Sequence, residues 1–198
     1  MDIPKLKTTK IDYAKNFVSN YTDMENFFEE ICGKFPGAIL DVFDTTLDTK
    51  ETRMSLLRDE YFRLSQEYKY LNFIEEVFSI NDNMCFIKLD FRRYEASCAS
   101  RMFSVINRLD AIDKLIFINQ ELNLCNCADI NFIIEDINLL KMFLKSMLRE
   151  IMRVDLYFDK KPLLLFGNFD LSLPIAFKNS DDMAMYEKIA NNHGLYFR

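Results

Sequence analysis

Three short apolar runs near the C-terminus constrain this chain more than any other feature. They span 154–158, 163–166 and 171–177. Asp159-Lys160-Lys161-Pro162 separates the first two, and Gly167-Asn168-Phe169-Asp170 the last two. A parallel crossover needs about a dozen residues or more, so connections this short predict an antiparallel meander. Pro174, inside the third run, cannot donate to a ladder and is expected at an edge or a bulge.

The rest of the chain alternates helical and extended patterns. Thr22-Asp23-Met24-Glu25 has the form of a capping box, and Phe35-Pro36-Gly37 breaks the helix it opens. Residues 38–43 read as a short strand, and 44–52 as a polar turn. A helix follows over about 52–70, which 71–78 either continue or follow as a further turn. Asn81-Asp82-Asn83 is a tight turn, and 84–91 read as a strand. Residues 97–109 form the next helix candidate, 115–118 a short strand candidate, and 123–129 a polar connection. Asp136 caps a helix reaching about Met152, whose wide apolar face suits packing on a sheet. Ser180 is expected to cap the last helix, with Asp181 and Asp182 favoured in its first turn by the helix dipole and Gly194 ending it. The expected fold class is α/β (mixed α+β). It forms one domain over 1–198 with a mixed sheet, whose C-terminal three-strand meander is flanked by helices. Residues 1–15 are expected to be a loosely held arm.

Composition removes several function classes. With one histidine, a multi-histidine metal site cannot be built. Only Gly33 and Gly37 of the four glycines lie close together, too few for a glycine-rich phosphate loop. The net charge of −6 argues against a nucleic-acid partner, although Tyr68-Lys69-Tyr70 and Arg92-Arg93-Tyr94 mix basic and aromatic groups. No apolar run approaches the ~18 residues of a membrane span, and no secretory h-region opens the chain. Five cysteines, an odd count, read as reduced thiols of a cytoplasmic protein. Cys125 and Cys127 have no second pair with which to hold zinc. The 19 phenylalanines and ten methionines read as core. Adjacent acidic pairs such as Glu75-Glu76 are expected on solvated helix faces, and His193 at a helix end, where the dipole favours a cation.

Ala38-Ile39-Leu40-Asp41-Val42-Phe43-Asp44-Thr45-Thr46-Leu47-Asp48 carries an apolar strand into an Asp with Thr and Leu close behind. The string resembles the first motif of haloacid-dehalogenase-like phosphohydrolases. That resemblance implies Asp41 as a nucleophile beside a magnesium ion. The string departs from the motif at Phe43, where phosphatase members have a second Asp, and at Asp44, usually a small residue.

A second resemblance covers most of the chain. The helix ending near Arg149-Glu150-Ile151, the runs at 154–158, 161–166 and 171–176, and Met185-Tyr186-Glu187-Lys188 follow one another in the order of a bacterial family of unknown function. Phe35-Pro36-Gly37 and the passage from 73–78 through Asn81-Asp82-Asn83 into 84–87 add to it. The family's hallmark is Tyr-Asp-Asp-Arg-Gly, and Phe166-Gly167-Asn168-Phe169-Asp170 stands in its place. The resemblance implies a bacterial cytosolic protein and no known reaction.

Taken together, these readings lead to the expectation of a non-catalytic binding protein of the immunity or antitoxin type, with no cofactor and no metal. Its partner is expected to be a basic, toxin-like protein, because an acidic surface steers and blocks such a partner. The candidate partner-binding residues are Asp44, Asp48, Glu51, Asp170, Asp181 and Asp182. The alternative is a magnesium-dependent phosphohydrolase acting through Asp41.

Overall fold

A computed structural model describes residues 3–13, 17, 30–31, 33–48, 51–89, 106–124, 131–167 and 171–198. The meander forms as its spacing predicts: β5 (Asp155–Phe158), β6 (Leu163–Leu165) and β7 (Leu173–Phe177) pair in sequence, antiparallel. Five further strands complete one sheet: β1 (Lys7–Thr8), β2 (Gly37–Asp41), β3 (Cys85–Lys88), β4 (Asn131–Ile134) and β8 (Tyr196–Phe197). The order across the sheet is β1-β4-β3-β5-β6-β7-β2-β8.

The mixed α/β class holds, but every described pairing is antiparallel, so the sheet itself is antiparallel where a mixed one was expected. Its helical crossovers explain why. Helix α3 (Ile137–Leu148) carries the chain from β4 to β5, which run parallel to each other. Strand β3 lies between them and pairs with both. Helix α4 (Ser180–Asn192) likewise joins β7 to β8 around an inserted β2. Each crossover thus spans a strand of opposite direction, and no parallel ladder results.

Helix α1 (Glu60–Ile80) follows a 3-10 turn over Thr52–Arg58, rather than one helix running from residue 52. Asp59 separates the two: its Oδ1 accepts from the Phe62 N–H at 3.0 Å, a cap that starts a new helix. Helix α2 (Ala111–Leu124) replaces the short strand expected at 115–118. The Leu-Ile-Phe-Ile run there has β propensity, but it falls inside a longer stretch whose inner side, Ile116, Phe117, Gln120 and Leu124, has helical spacing. Helix α1 packs against α3 on one side and α4 on the other, and α2 packs on α3.

The four helices cover one face of the sheet. Tyr70, Phe73, Ile74 and Val77 of α1 and Leu140, Phe143, Leu144 and Met147 of α3 meet Cys85, Ile87, Leu156, Phe158, Leu163, Leu165 and Ile175 in one core. The alternate residues Phe86, Tyr157, Leu164 and Ala176, with Phe166 just beyond β6, face a smaller cluster that contains Phe17 and Ile31, with Tyr13 and Phe35 at its margin. Strands buried on both faces account for their almost unbroken apolar sequence.

Pro174 sits in an interior strand, not at an edge. Its carbonyl accepts from the Phe166 N–H at 2.9 Å, just beyond the end of β6, so its missing donor falls where the ladder to β6 is ending. Gly167 follows. A Cβ there would lie 2.6 Å from the Val154 carbonyl oxygen, and its N–H donates to the buried Asp155 Oδ1 at 3.0 Å. The close approach of two backbones therefore explains this glycine.

The described part of the N-terminal arm is docked rather than loose. Lys7 and Thr8 pair with β4, Leu6 is buried, and the Gln120 carboxamide holds both the Leu6 N–H and the Pro4 carbonyl, at 2.9 and 2.8 Å. The start of the helix opened by Thr22, the Arg92-Arg93-Tyr94 cluster and the Cys125/Cys127 pair lie outside the described residues, while residues 30–31 and 33–34 are helical and stop ahead of Phe35-Pro36-Gly37, as the breaker there predicts.

One buried group on α2 gives a pH-dependent expectation. Glu121 is buried, and that burial raises its carboxyl above the ordinary range. An acid with a raised folded-state pKa binds more protons folded than unfolded, so stability falls as pH rises past the ordinary value into the raised range. Glu121→Gln is expected to raise the melting temperature near pH 7 and to lose that advantage near pH 4, about where glutamate protonates in the unfolded chain. Thermal melts across this range test it, and an equal gain at both ends would contradict it.

Candidate functional site

The strand read as a nucleophile-bearing one does end in Asp41, but the surroundings of that carboxylate are fully occupied. Asp41 Oδ1 accepts from the Phe43 N–H at 3.1 Å. Oδ2 accepts from the Ser172 hydroxyl at 2.7 Å and from Arg198 Nε at 2.8 Å, with Arg198 Nη2 at 2.6 Å. Arg198 also reaches Thr46 Oγ1 and Ser172 Oγ, and its backbone exchanges two hydrogen bonds with Ile39. The side chain of Asp41 is almost completely buried. A nucleophilic carboxylate needs an oxygen open to an electrophile; here Oδ1 closes the turn after β2, and Oδ2 ties Arg198, just past β8, and Ser172, just before β7, to β2. Among the described residues no group of three His, Cys, Asp or Glu side chains comes together to hold a metal ion.

The proposed acidic residues do not form one patch. Asp44 and Asp48 are exposed beyond the C-terminal end of β2. Glu51 follows, and its carboxylate binds Arg53 at 2.7 Å and the Asp48 N–H at 3.1 Å. The Arg53 hydrogen bond, then the Asp48 amide, hold it below the ordinary carboxylate range. Because β2 and β7 are antiparallel, with Gly37 opposite Ala176 and Leu40 opposite Leu173, the segment after β7 leaves from the other end of the sheet. Asp181 and Asp182 are there. Asp181 is exposed. Asp182 is buried and takes part in the cap: Asn179, not Ser180, is the N-cap, its Oδ1 accepting from the Asp182 N–H and its Nδ2 donating to Asp182 Oδ2, both at 2.8 Å. A carboxamide both accepts and donates, which lets Asn179 close the turn from both directions. Asp170 lies outside the described residues. His193 caps the end of α4 as expected, with Nε2 2.8 Å from Glu76 on α1.

Two features had no local signal in the sequence. The first is the exposed outer face of α1. Tyr61, Leu64 and Tyr68 stand 83, 46 and 58 % exposed at helical spacings of three and four. The acidic loop folds back beside this helix: the Phe43 ring stacks on Phe62 at 6.0 Å, and Arg53 lies over Phe43 at 5.7 Å. Asp44, Asp48 and Glu51 therefore flank the N-terminal half of α1.

The second feature is an ionic knot at the C-terminal end of α3. Arg149 grips Glu67 of α1 with two 2.8 Å bonds and reaches Asp110 at 3.1 Å. Lys145 joins Asp110 and Asp113, and Arg63 binds Glu150 at 2.6 Å. Arg108 and Arg149 each donate to the other's backbone carbonyl. The Arg149 bond holds the Asp110 carboxyl below its ordinary range, against a smaller opposing effect of burial. Glu150 adopts φ 54°, a left-handed turn that ends α3 and carries its carboxylate to Arg63. The knot lies against a cleft of about 560 Å³ whose walls are α1 and residues 107–110.

No helix among the described residues is long and apolar enough to cross a membrane. Compared with protein-family models, with curated proteins and with solved structures, the chain matches none.

Proposed function

We propose that this chain is a non-catalytic binding protein of the immunity or antitoxin-inhibitor type that docks a basic protein partner. One observation carries the reading: an acidic loop bearing Asp44, Asp48 and Glu51 folds beside a helix that displays two tyrosines and a leucine to solvent. Tyrosines supply large contact area at low entropic cost and are enriched among energetically dominant interface residues. Acidic groups beside them accelerate encounter with a basic partner and penalise acidic competitors. The occupied carboxylate of Asp41 favours this reading over the phosphohydrolase alternative.

Tagged protein expressed in its native host is expected to retain one stoichiometric basic partner. Tyr61→Ala with Tyr68→Ala should speed dissociation of that complex by about a hundredfold, if each ring contributes a little over 1 kcal/mol. Asp44→Asn with Asp48→Asn should instead slow association and flatten its salt dependence. Recovery of the protein alone, or a partner whose kinetics ignore all four substitutions, would refute the assignment.

A further inference from the structure

The cleft beside the α3 knot holds charges that the knot does not consume. Its lining alternates Glu60, Arg63 and Glu67 with Asn107, Arg108, Asp110 and Arg149, over the aliphatic side chains of Leu64 and Leu148. Arg149, Glu67 and Asp110 are bound to one another, and Arg63 is bound to Glu150 and the Leu148 carbonyl. Two ionic groups remain. Arg108 contacts only the Arg149 and Glu150 carbonyls among the described residues, which leaves donors of its guanidinium open. Glu60, in the first turn of α1, makes no described ion pair. These two come from different walls, because Arg149 spans the interval between α1 and Asp110. Asn107 stands next to Arg108.

We infer that this cleft binds a small aliphatic zwitterion with free amino and carboxylate ends, of the amino-acid or dipeptide class. The carboxylate pairs with Arg108 and the Asn107 amide, the ammonium pairs with Glu60, and the aliphatic body lies on Leu64 and Leu148. The volume falls in the range of about 300–1,000 Å³ common to small-ligand clefts. A purely anionic ligand would meet Glu60, and a purely cationic one Arg108, so the pair of unspent charges selects for both ends at once. The cleft shares Leu64 with the face proposed above for the protein partner, but its test needs no partner, so the two readings fail separately.

Calorimetric titration of the full chain with L-leucyl-L-leucine tests it, alongside the N-acetylated and C-amidated dipeptides. The free dipeptide is expected to bind, and each blocked form to bind about tenfold more weakly or worse, the worth of one charge-assisted pair. Arg108→Gln should make the protein indifferent to amidation while it still discriminates against acetylation. Glu60→Gln should do the reverse. Both residues are exposed, and unchanged melting temperatures would confirm that the variants fold. Absence of binding at millimolar dipeptide, equal affinity for free and blocked forms, or loss of both discriminations in each variant would overturn the inference.

Discussion

Asp41→Asn is expected to destabilise the protein by about 2–3 kcal/mol without changing any hydrolysis of phosphate esters. Breaking a buried ion pair by removing one partner costs about 3–5 kcal/mol. Arg198 is partly exposed, which lowers the figure, because water can take over some of its donors. For a chain of this size each kcal/mol lowers the melting temperature by roughly 2–4 °C, so the fall should be about 4–12 °C. The loss should also be local. Arg198 is tied to β2 by its backbone bonds to Ile39 and its side-chain bonds to Asp41, so amides of β8 should exchange faster while those of β5 and β6 stay protected. Magnesium-dependent turnover of p-nitrophenyl phosphate by the native chain, abolished in the variant, would restore the phosphohydrolase reading and remove the binding one.

Arg149→Met should cost more, about 3–5 kcal/mol. Both Arg149 and Glu67 are largely shielded, and their two-bonded contact joins helices far apart in sequence. Removing the guanidinium leaves the Glu67 carboxylate buried without a counter-charge. The same argument predicts a rescue. Combining Arg149→Met with Glu67→Leu removes both charges, and apolar replacement of a whole buried pair is often neutral or stabilising. The double variant is therefore expected to be more stable than Arg149→Met alone, in denaturant melts of all four proteins. If the two losses simply add, Glu67 is not the group that Arg149 neutralises.

What could be read from the sequence was what local chemistry specifies. The meander followed from two four-residue connections, the start of α3 from Asp136, whose Oδ1 does accept from the Asn138 and Leu139 amides, and the turn at Asp82 and Asn83 from residues that tolerate positive φ. The misreadings arose where tertiary context overrode a local preference. The β-prone run at 115–118 became helical because its neighbours offer a helical apolar stripe to α3. The docked arm depends on Gln120, more than a hundred residues away. The α3 knot had no sequence signature, since Glu67 and Arg149 are separated by 82 positions and each alone looks like an ordinary surface charge. The candidate acidic surface was half legible. The loop at Asp44 to Glu51 was visible as a polar turn, but its position beside the start of α1 depends on the Phe43–Phe62 contact. The separation of Asp181 and Asp182 from that loop depends on strand register.

The two inserted strands set a constraint on biosynthesis. A ribosome delivers β2 and β3 long before the strands that flank them: β2 waits for β7 and β8, and β3 for β4 and β5. Until the meander emerges, Ala38, Ile39, Leu40 and 85–87 have no native ladder on one or both sides. A nascent chain therefore presents unsatisfied apolar edges throughout that interval, the state in which strands recruit wrong partners. Chaperone holding of the nascent chain, or slow codons placed ahead of the meander, would act on this interval.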